Sequence, residues 1–415
     1  MLLTLEALNA EEGDCLLLHC GTKAEPHHVL IDGGPRATFA NTLMPRLREL
    51  RELHALDDAE SLPIALAVLS HIDADHIDGL VAMFEELRAV EERNQPPPFQ
   101  IQGLWYNGFD DVVGNREVAS IESLAASASA SPAVRAFIAG TKMGQALRDV
   151  TRRLGIPVNP GFQGLALGRK QGRKQEERIF VMRTADKAPR IASGDLSLGG
   201  LTLTVLSPMA KELEDFEKSW DTYLKQQAKK KGKGGAAAVG VDRSPTNLSS
   251  ITLLAEAGGK RLLLTGDARA SQILDGLRVA GALADDKPCV VDVFKLPHHG
   301  SERNSTPELY QRVHAKHYVI CANGKHGNPD RPVLDMIWKA RGKGTWQLWT
   351  TFPKNAYKLI DPAAARTATE RETLEERREA LEEVQAWFDA HAVKVNYRDP
   401  RKLAIRIDLG DEKLA

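Results

Sequence analysis

Two imidazoles and two carboxylates fall within six positions of the run Ser70-His71-Ile72-Asp73-Ala74-Asp75-His76-Ile77-Asp78-Gly79. The run follows an apolar strand candidate, Ile64–Leu69. Four such ligands on one turn leaving a strand can hold two divalent ions side by side, which points to a dinuclear hydrolase. Alternate residues of an extended turn face the same way, so His71 and Asp73 can take one ion and Asp75 and His76 a second. A polar turn capped by aspartates would leave both imidazoles without a reason.

Two later segments fit the same chemistry. Leu262-Leu263-Leu264-Thr265-Gly266-Asp267 ends an apolar run in a carboxylate, after a glycine that lets backbones approach. A carboxylate there can bridge two ions. Phe294-Lys295-Leu296-Pro297-His298-His299-Gly300-Ser301 sets two histidines behind another apolar run. One can complete a metal site; the other can touch substrate or protonate a leaving group.

The elements that must position these residues alternate strand and helix. Cys15–Cys20 and His28–Asp32 read as strands, the second broken by Gly33-Gly34-Pro35. Asn41–Leu53 reads as a helix with Leu43, Leu47 and Leu50 on one side. A helix from about Asp78 to Arg93 starts where the ligands end, so its N-terminal dipole faces them. Pro96-Pro97-Pro98 stops it. Residues 99–195 form an irregular and helical insertion, with a strand candidate at Phe99–Tyr106 and a helix entered at Ser131-Pro132 and ended by Gly155. Within it, 169–178 carries more basic than acidic side chains.

A second strand-rich half opens near Leu198. Strands are expected at Leu201–Leu206, in a hairpin of Ile251–Glu256 and Lys260–Thr265, and at Val290–Leu296, His317–Ala322 and Trp346–Thr351. A helix is expected at 212–224, and a mobile basic Gly/Ala-rich loop at 225–245. Residues 363–392 read as one charged amphipathic helix, with Leu374, Leu381, Val384, Trp387 and Phe388 as its apolar stripe. Leu403–Leu409 closes the chain as a final strand. Two such halves suggest a four-layer α/β sandwich, expected as one domain over 1–410.

Composition sets limits. The 415 residues carry a formal net charge of -1, so any nucleic-acid affinity must come from local patches. Cys15, Cys20, Cys289 and Cys321 sit singly, which argues against zinc-finger or disulfide frameworks and for buried thiols in a reducing compartment. The N-terminus does not read as a signal peptide, and no run approaches about 18 uninterrupted apolar residues. A cytoplasmic protein with no membrane association is the expectation.

Seven motifs, in order, carry a family resemblance: Glu12-Gly13-Asp14, Leu30-Ile31-Asp32-Gly33-Gly34, His71-x-Asp73-x-Asp75-His76, Asn247-x-Ser249-Ser250, Thr265-Gly266-Asp267, Lys295-x-Pro297-His298-His299-Gly300-Ser301 and Asn323-Gly324-Lys325-His326-Gly327-Asn328-Pro329. The chain resembles metallo-β-lactamase-fold hydrolases, and most closely the hydrolase domain of ComEC-type DNA-uptake proteins and its free-standing soluble relatives. The resemblance implies a four-layer αββα sandwich with helical insertions. The superfamily pattern has a histidine where Asp73 stands, as the ComEC-like branch does not; the hard oxygen makes manganese or magnesium plausible beside zinc.

By the same resemblance, His71, Asp73, Asp75, His76, Asp267 and His299 hold two divalent ions (Zn²⁺ or Mn²⁺). Asp267 bridges them, and Asp75 also takes part in catalysis. His298 faces the substrate, although His298 and His299 could exchange these roles. Asp32 and Asp14 orient ligands. Lys295, Lys325 and His326 are candidate phosphate contacts, with Asn323 and Ser301 nearby in the substrate set. Relatives often have histidine where Asn328 stands; His326 could compensate.

The expected function is phosphodiester hydrolysis, with nucleic acid as substrate, through a hydroxide bridging two ions roughly 3.5–4 Å apart. The alternatives are a small-molecule phosphodiesterase acting on a phosphocholine ester or cyclic nucleotide, and an effector subunit of a multi-protein DNA-processing or defence complex. In that last case the 363–392 helix or the 99–195 insertion would dock the partner.

Overall fold

A computed structural model gives a mixed α/β fold built on two large sheets. It describes residues 1–108, 132–162, 190–191, 198–209, 247 and 249–414, of which 132–138 and 190–191 are described by their backbone alone. The basic segment 169–178, the expected helix 212–224 and the loop 225–245 lie outside the described residues.

The first sheet runs β16 (Ala404–Asp408), β1 (Leu2–Leu8), β2 (Leu16–Gly21), β3 (Pro26–Ile31), β5 (Leu66–Val68), β7 (Leu104–Trp105). The second runs β15 (Lys394–Tyr397), β14 (Gln347–Thr350), β13 (Val313–Ile320), β12 (Cys289–Lys295), β11 (Lys260–Leu264), β10 (Thr252–Ala257), β9 (Thr202–Ser207), β8 (Arg190–Ile191). A separate pair joins β4 (Leu62–Ile64) to β6 (Phe99–Ile101). Strands β11 to β15 are mutually parallel. Parallel neighbours need a crossover, and helices α5 (Ala270–Val279), α6 (Pro307–Arg312), α7 (Arg331–Arg341) and α8 (Ala368–Ala390) supply one after each of β11 to β14. The first half carries α1 (Arg36–Thr38), α2 (Met44–Leu53), α3 (Ala74–Glu92) and α4 (Pro132–Arg153).

Alternate side chains of the strands enter different cores. Leu3, Leu5 and Ala7 of β1 and Leu16 and Leu18 of β2 cluster with Leu203, Leu253, Leu262 and Val293 of the other sheet. Leu2, Leu8 and Leu17 turn the other way, onto Leu47, Leu80, Phe84 and Leu147 of α2, α3 and α4. Phe294, Tyr318 and Leu348 meet Leu274, Leu309, Ile337 and Trp387 of α5 to α8. Strands buried on both faces read as continuous apolar runs, which is why Cys15–Cys20 is recognisable without alternation.

Several expectations need correction. Strand β1 goes unread in the sequence because Glu6 interrupts its apolar run; Arg46 of α2 neutralises that carboxylate through hydrogen bonds of 2.7 and 2.8 Å. The α3 helix begins inside the ligand motif rather than after it, with Asp73 at its N-cap. Asp75 and His76 therefore sit in a first helical turn, not an extended one. Helix 363–392 shortens to Ala368–Ala390, and Leu381, Val384, Trp387 and Phe388 are buried in the chain's own core. All four cysteines are buried and free. Among the described residues, no helix is long and apolar enough to cross a membrane.

Candidate metal centre

The ligand motifs converge where strands of both sheets end. Asp14 precedes β2, Asp32 follows β3, and Ser70–His76 follows β5. From the second sheet, Asp267 follows β11, the His298-His299 pair follows β12, and Cys321–Asn323 follows β13. Sites in α/β folds form outside the carboxyl ends of strands. A backbone bond ties the two sides, Ile251 N donating to Ser70 O at 2.9 Å, and within the second sheet His298 N donates to Gly266 O at 3.1 Å. Gly33 and Gly79 let the end of β3 touch the first turn of α3, since a Cβ on Gly79 would lie 1.9 Å from Gly33 O.

Asp267 sits at the centre. Its Oδ2 lies 3.7 Å from His71 Nε2, 3.7 Å from His299 Nε2 and 3.6 Å from His298 Nε2. Its Oδ1 lies 3.4 Å from His76 Nε2. Asp73 Oδ2 is 3.6 Å from His71 Nε2. Asp75 Oδ2 is 3.3 Å from His299 Nε2 and 3.9 Å from His76 Nε2. The Nε2 atoms of His71, His76 and His299 and Oδ1 of Asp267 are buried with no hydrogen-bond partner. Donors about 2.1 Å from a tetrahedral ion stand about 3.4 Å apart, so these spacings suit the edges of a coordination shell.

Three groups bring their donor atoms within 4.8 Å of one another: His71, His76 and Asp267; Asp75, His76 and His299; and Asp14, Asp32 and His76. The first two point unpartnered nitrogens inward. The third is mostly engaged already: of its atoms Asp14 Oδ1 lacks a hydrogen bond, and it lies 3.4 Å from His299 Nδ1. Asp32 accepts from Ser70 N and Ser70 Oγ, both at 2.7 Å, and holds His76 Nδ1 at 2.9 Å. Asp14 is ion-paired with Lys295.

Those outer bonds fix the imidazoles. With its hydroxyl proton given to Asp32, Ser70 Oγ accepts from His71 Nδ1 at 3.0 Å. His76 Nδ1 donates to Asp32, and His299 Nδ1 to Cys321 O at 3.0 Å. Each ring thus carries its proton on Nδ1 and turns Nε2 inward, the arrangement that ligand histidines require. Sequence reasoning missed Ser70 and the Cys321 carbonyl, since neither residue type signals an orienting role. Asp32, His298 and His299 hold left-handed backbone at φ 59°, 47° and 56°. Strain of that kind in non-glycine residues gathers at functional sites.

The electrostatics ask for positive charge. Burial alone would lower the His299 pKa, but Asp267 and Asp14 outweigh it and raise it to about 10. His76 is likewise lifted well above the ordinary value, against its burial, by Asp267, Asp32 and Asp75. Burial would raise Asp267, yet His298, His76, His299 and His71 hold it well below the usual carboxylate range. Without another cation, protons on His76 and His299 balance the carboxylates.

The candidate substrate contacts divide. Lys295 is fully buried, and its ammonium meets Asp14 and, at 3.1 Å, the Gly266 carbonyl. It therefore positions Asp14 and does not reach a phosphate. Lys325 pairs with Glu12, and Asn323 bridges Glu11 Oε2 and Lys325 N at 3.0 and 2.9 Å. Ser301 is buried and caps the turn at Glu302–Asn304. His298 has its side chain 26 % exposed and is anchored through Nδ1 to Asn304 Oδ1 at 2.8 Å. His326 is exposed, and its pKa is lowered by partial burial and Lys325 against the pull of Asp75. Asn328 precedes a cis proline, Pro329.

No family model matches the chain. Among curated proteins, microtubule-associated protein 1A of Rattus norvegicus is 28 % identical over 112 residues. That stretch is 26 % of this chain, and the chain spans 4 % of that protein's length. A match so partial assigns no family.

Proposed function

We propose that this chain is a dinuclear metal-dependent phosphodiester hydrolase of the metallo-β-lactamase type, akin to the ComEC-like branch, acting on nucleic acid. The observation that carries this reading is the inward set of buried, unpartnered donors on His71, His76, His299 and Asp267. The three apolar clusters, one shared by both sheets and one between each sheet and its helices, support the four-layer αββα architecture. Buried free thiols support a reducing, cytoplasmic setting.

In this reading His71, Asp73, Asp75, His76, His299 and Asp267 would together hold the divalent ions; zinc and manganese both suit this mixed donor set. When bound, such a pair supplies an activated water and an electrophilic clamp on phosphate oxygens. Asp32, Ser70 and the Cys321 carbonyl keep the three Nε2 atoms aimed inward. Asp14, held by Lys295, adds fixed negative charge behind His76 and His299. His298, partly exposed and anchored by Asn304, faces the substrate and can pass a proton to the leaving oxygen. Cleavage of single- and double-stranded DNA and RNA by manganese-loaded protein tests the reading; failure to cut any of them would remove nucleic acid as substrate. A net charge of -1 favours the second reading, a small phosphodiester. In that case bis-p-nitrophenyl phosphate turns over and polymers do not.

A further inference from the structure

Asn304 is buried at the end of the turn Glu302–Asn304, and both ends of its amide are committed. Its Nδ2 donates to the Asp267 carbonyl at 2.8 Å, and its Oδ1 meets His298 Nδ1 at 2.8 Å. A backbone carbonyl can only accept, so the amide nitrogen must face Asp267 and the amide oxygen must face the imidazole. The amide oxygen in turn can only accept, which puts a proton on His298 Nδ1. Asn247 Nδ2 approaches the same ring nitrogen at 3.4 Å and would favour it bare; the shorter contact decides. Nε2 then carries the lone pair, 3.6 Å from Asp267 Oδ2. The backbone holds this geometry in register. His298 N and Lys295 Nζ both donate to the Gly266 carbonyl at 3.1 Å, one residue before Asp267. Ser301 N donates to His298 O at 2.8 Å, and Glu302 N to Asp330 Oδ2 at 2.8 Å, at the N-cap of α7. These bonds let a partly exposed imidazole keep one orientation.

We propose that Asn304 is a positioning residue: oriented by the Asp267 carbonyl, it locks His298 in the Nδ1-protonated tautomer and assigns proton exchange at that ring to Nε2, a role whose chemical use rests on the hydrolase reading above. An aspartate at 304 would also hold the tautomer, as carboxylates do behind catalytic imidazoles. It would, however, set an anion against the Asp267 carbonyl and add charge to a centre that already gathers Asp73, Asp75 and Asp267. The neutral amide fixes the ring without that repulsion. In use, Nε2 takes a proton from solvent and gives it to the leaving oxygen as the phosphorus–oxygen bond breaks, while Nδ1 keeps its own proton throughout.

Nitrogen NMR of the histidine-labelled, zinc-loaded full chain reads the tautomer directly, with His298→Gln assigning the resonances. A protonated Nδ1 and a bare Nε2 are expected in the wild type and in Asn247→Ala, and loss of that single tautomer in Asn304→Ala. A wild-type proton on Nε2, or an Nδ1 tautomer that survives Asn304→Ala, overturns the lock. Its use is read with methyl phenyl phosphate and methyl p-nitrophenyl phosphate, because the phenyl ester has the poorer leaving group and depends more on a proton. Asn304→Ala is expected to lower kcat at least about tenfold more on the phenyl ester than on the nitrophenyl ester. Equal losses on the two esters would reduce Asn304 to a structural role and overturn the proposal. No turnover of either ester by the wild type overturns the hydrolase reading alone; the spectrum, recorded on the metal-free chain if no zinc binds, still decides the tautomer.

Discussion

Asp267 is where the chemistry is most concentrated, because four imidazole nitrogens converge on its two oxygens at 3.4–3.7 Å. Asp267→Asn keeps the shape and removes the charge; metal content is expected to fall from about two equivalents to less than one, read by elemental analysis. Asp32→Asn acts one bond further out. It loosens His76, and chelator competition is expected to show metal affinity lowered about 10–100-fold. The ligand residues were legible because two histidines and two aspartates in six positions have no other use. Lys295 misled because a lysine behind an apolar strand reads as exposed, and its buried partner Asp14 is remote in sequence. Lys295→Met leaves that carboxylate with His299 as its remaining charged partner in the interior, where the loss of one partner costs about 3–5 kcal/mol. Denaturant unfolding would measure it.

At the scale of elements, the site depends on joints between strand ends and helix starts. Gly79→Ala would drive a methyl group into the Gly33 carbonyl, moving α3 away from β3 and separating His76 from Asp32. Both a lower melting temperature and weaker metal binding are expected. A variant that melts lower but binds metal normally would show that the joint serves stability alone. The doubly buried strands β2 and β12 announced themselves as apolar runs. The start of α3 did not, because a motif dense in ligands masks helical periodicity. Short elements such as the crossover helix α6 and the edge strand β15 were missed for want of length, and the stripe on α8 turned out to face the chain's own core.

For the whole molecule, the buried carboxylates and imidazoles make stability depend on both pH and metal. His299 titrates at about 10 when folded without metal, against an ordinary 6.5. Its contribution is fully present below pH 6.5 and is lost as pH rises toward 10. Asp14, which burial would raise but Lys295 and His299 hold down to about 2, contributes above its ordinary 3.8 and loses that as pH falls toward 2. Metal-free protein should therefore melt highest between about pH 4 and 6.5 and weaken through pH 9. Cation binding must displace the imidazole protons, so metal affinity should rise across the same interval, with protons released on binding. Saturating metal at 1,000 times its Kd would add about 4 kcal/mol to the folded state, visible as a melting temperature several degrees higher. The most direct measurement is metal stoichiometry, by elemental analysis of the wild type and of the double variant Asp75→Ala/His76→Ala. About two equivalents of zinc or manganese in the wild type, lost in the variant, is the predicted result; a wild type that holds no metal even after reconstitution would contradict the dinuclear centre.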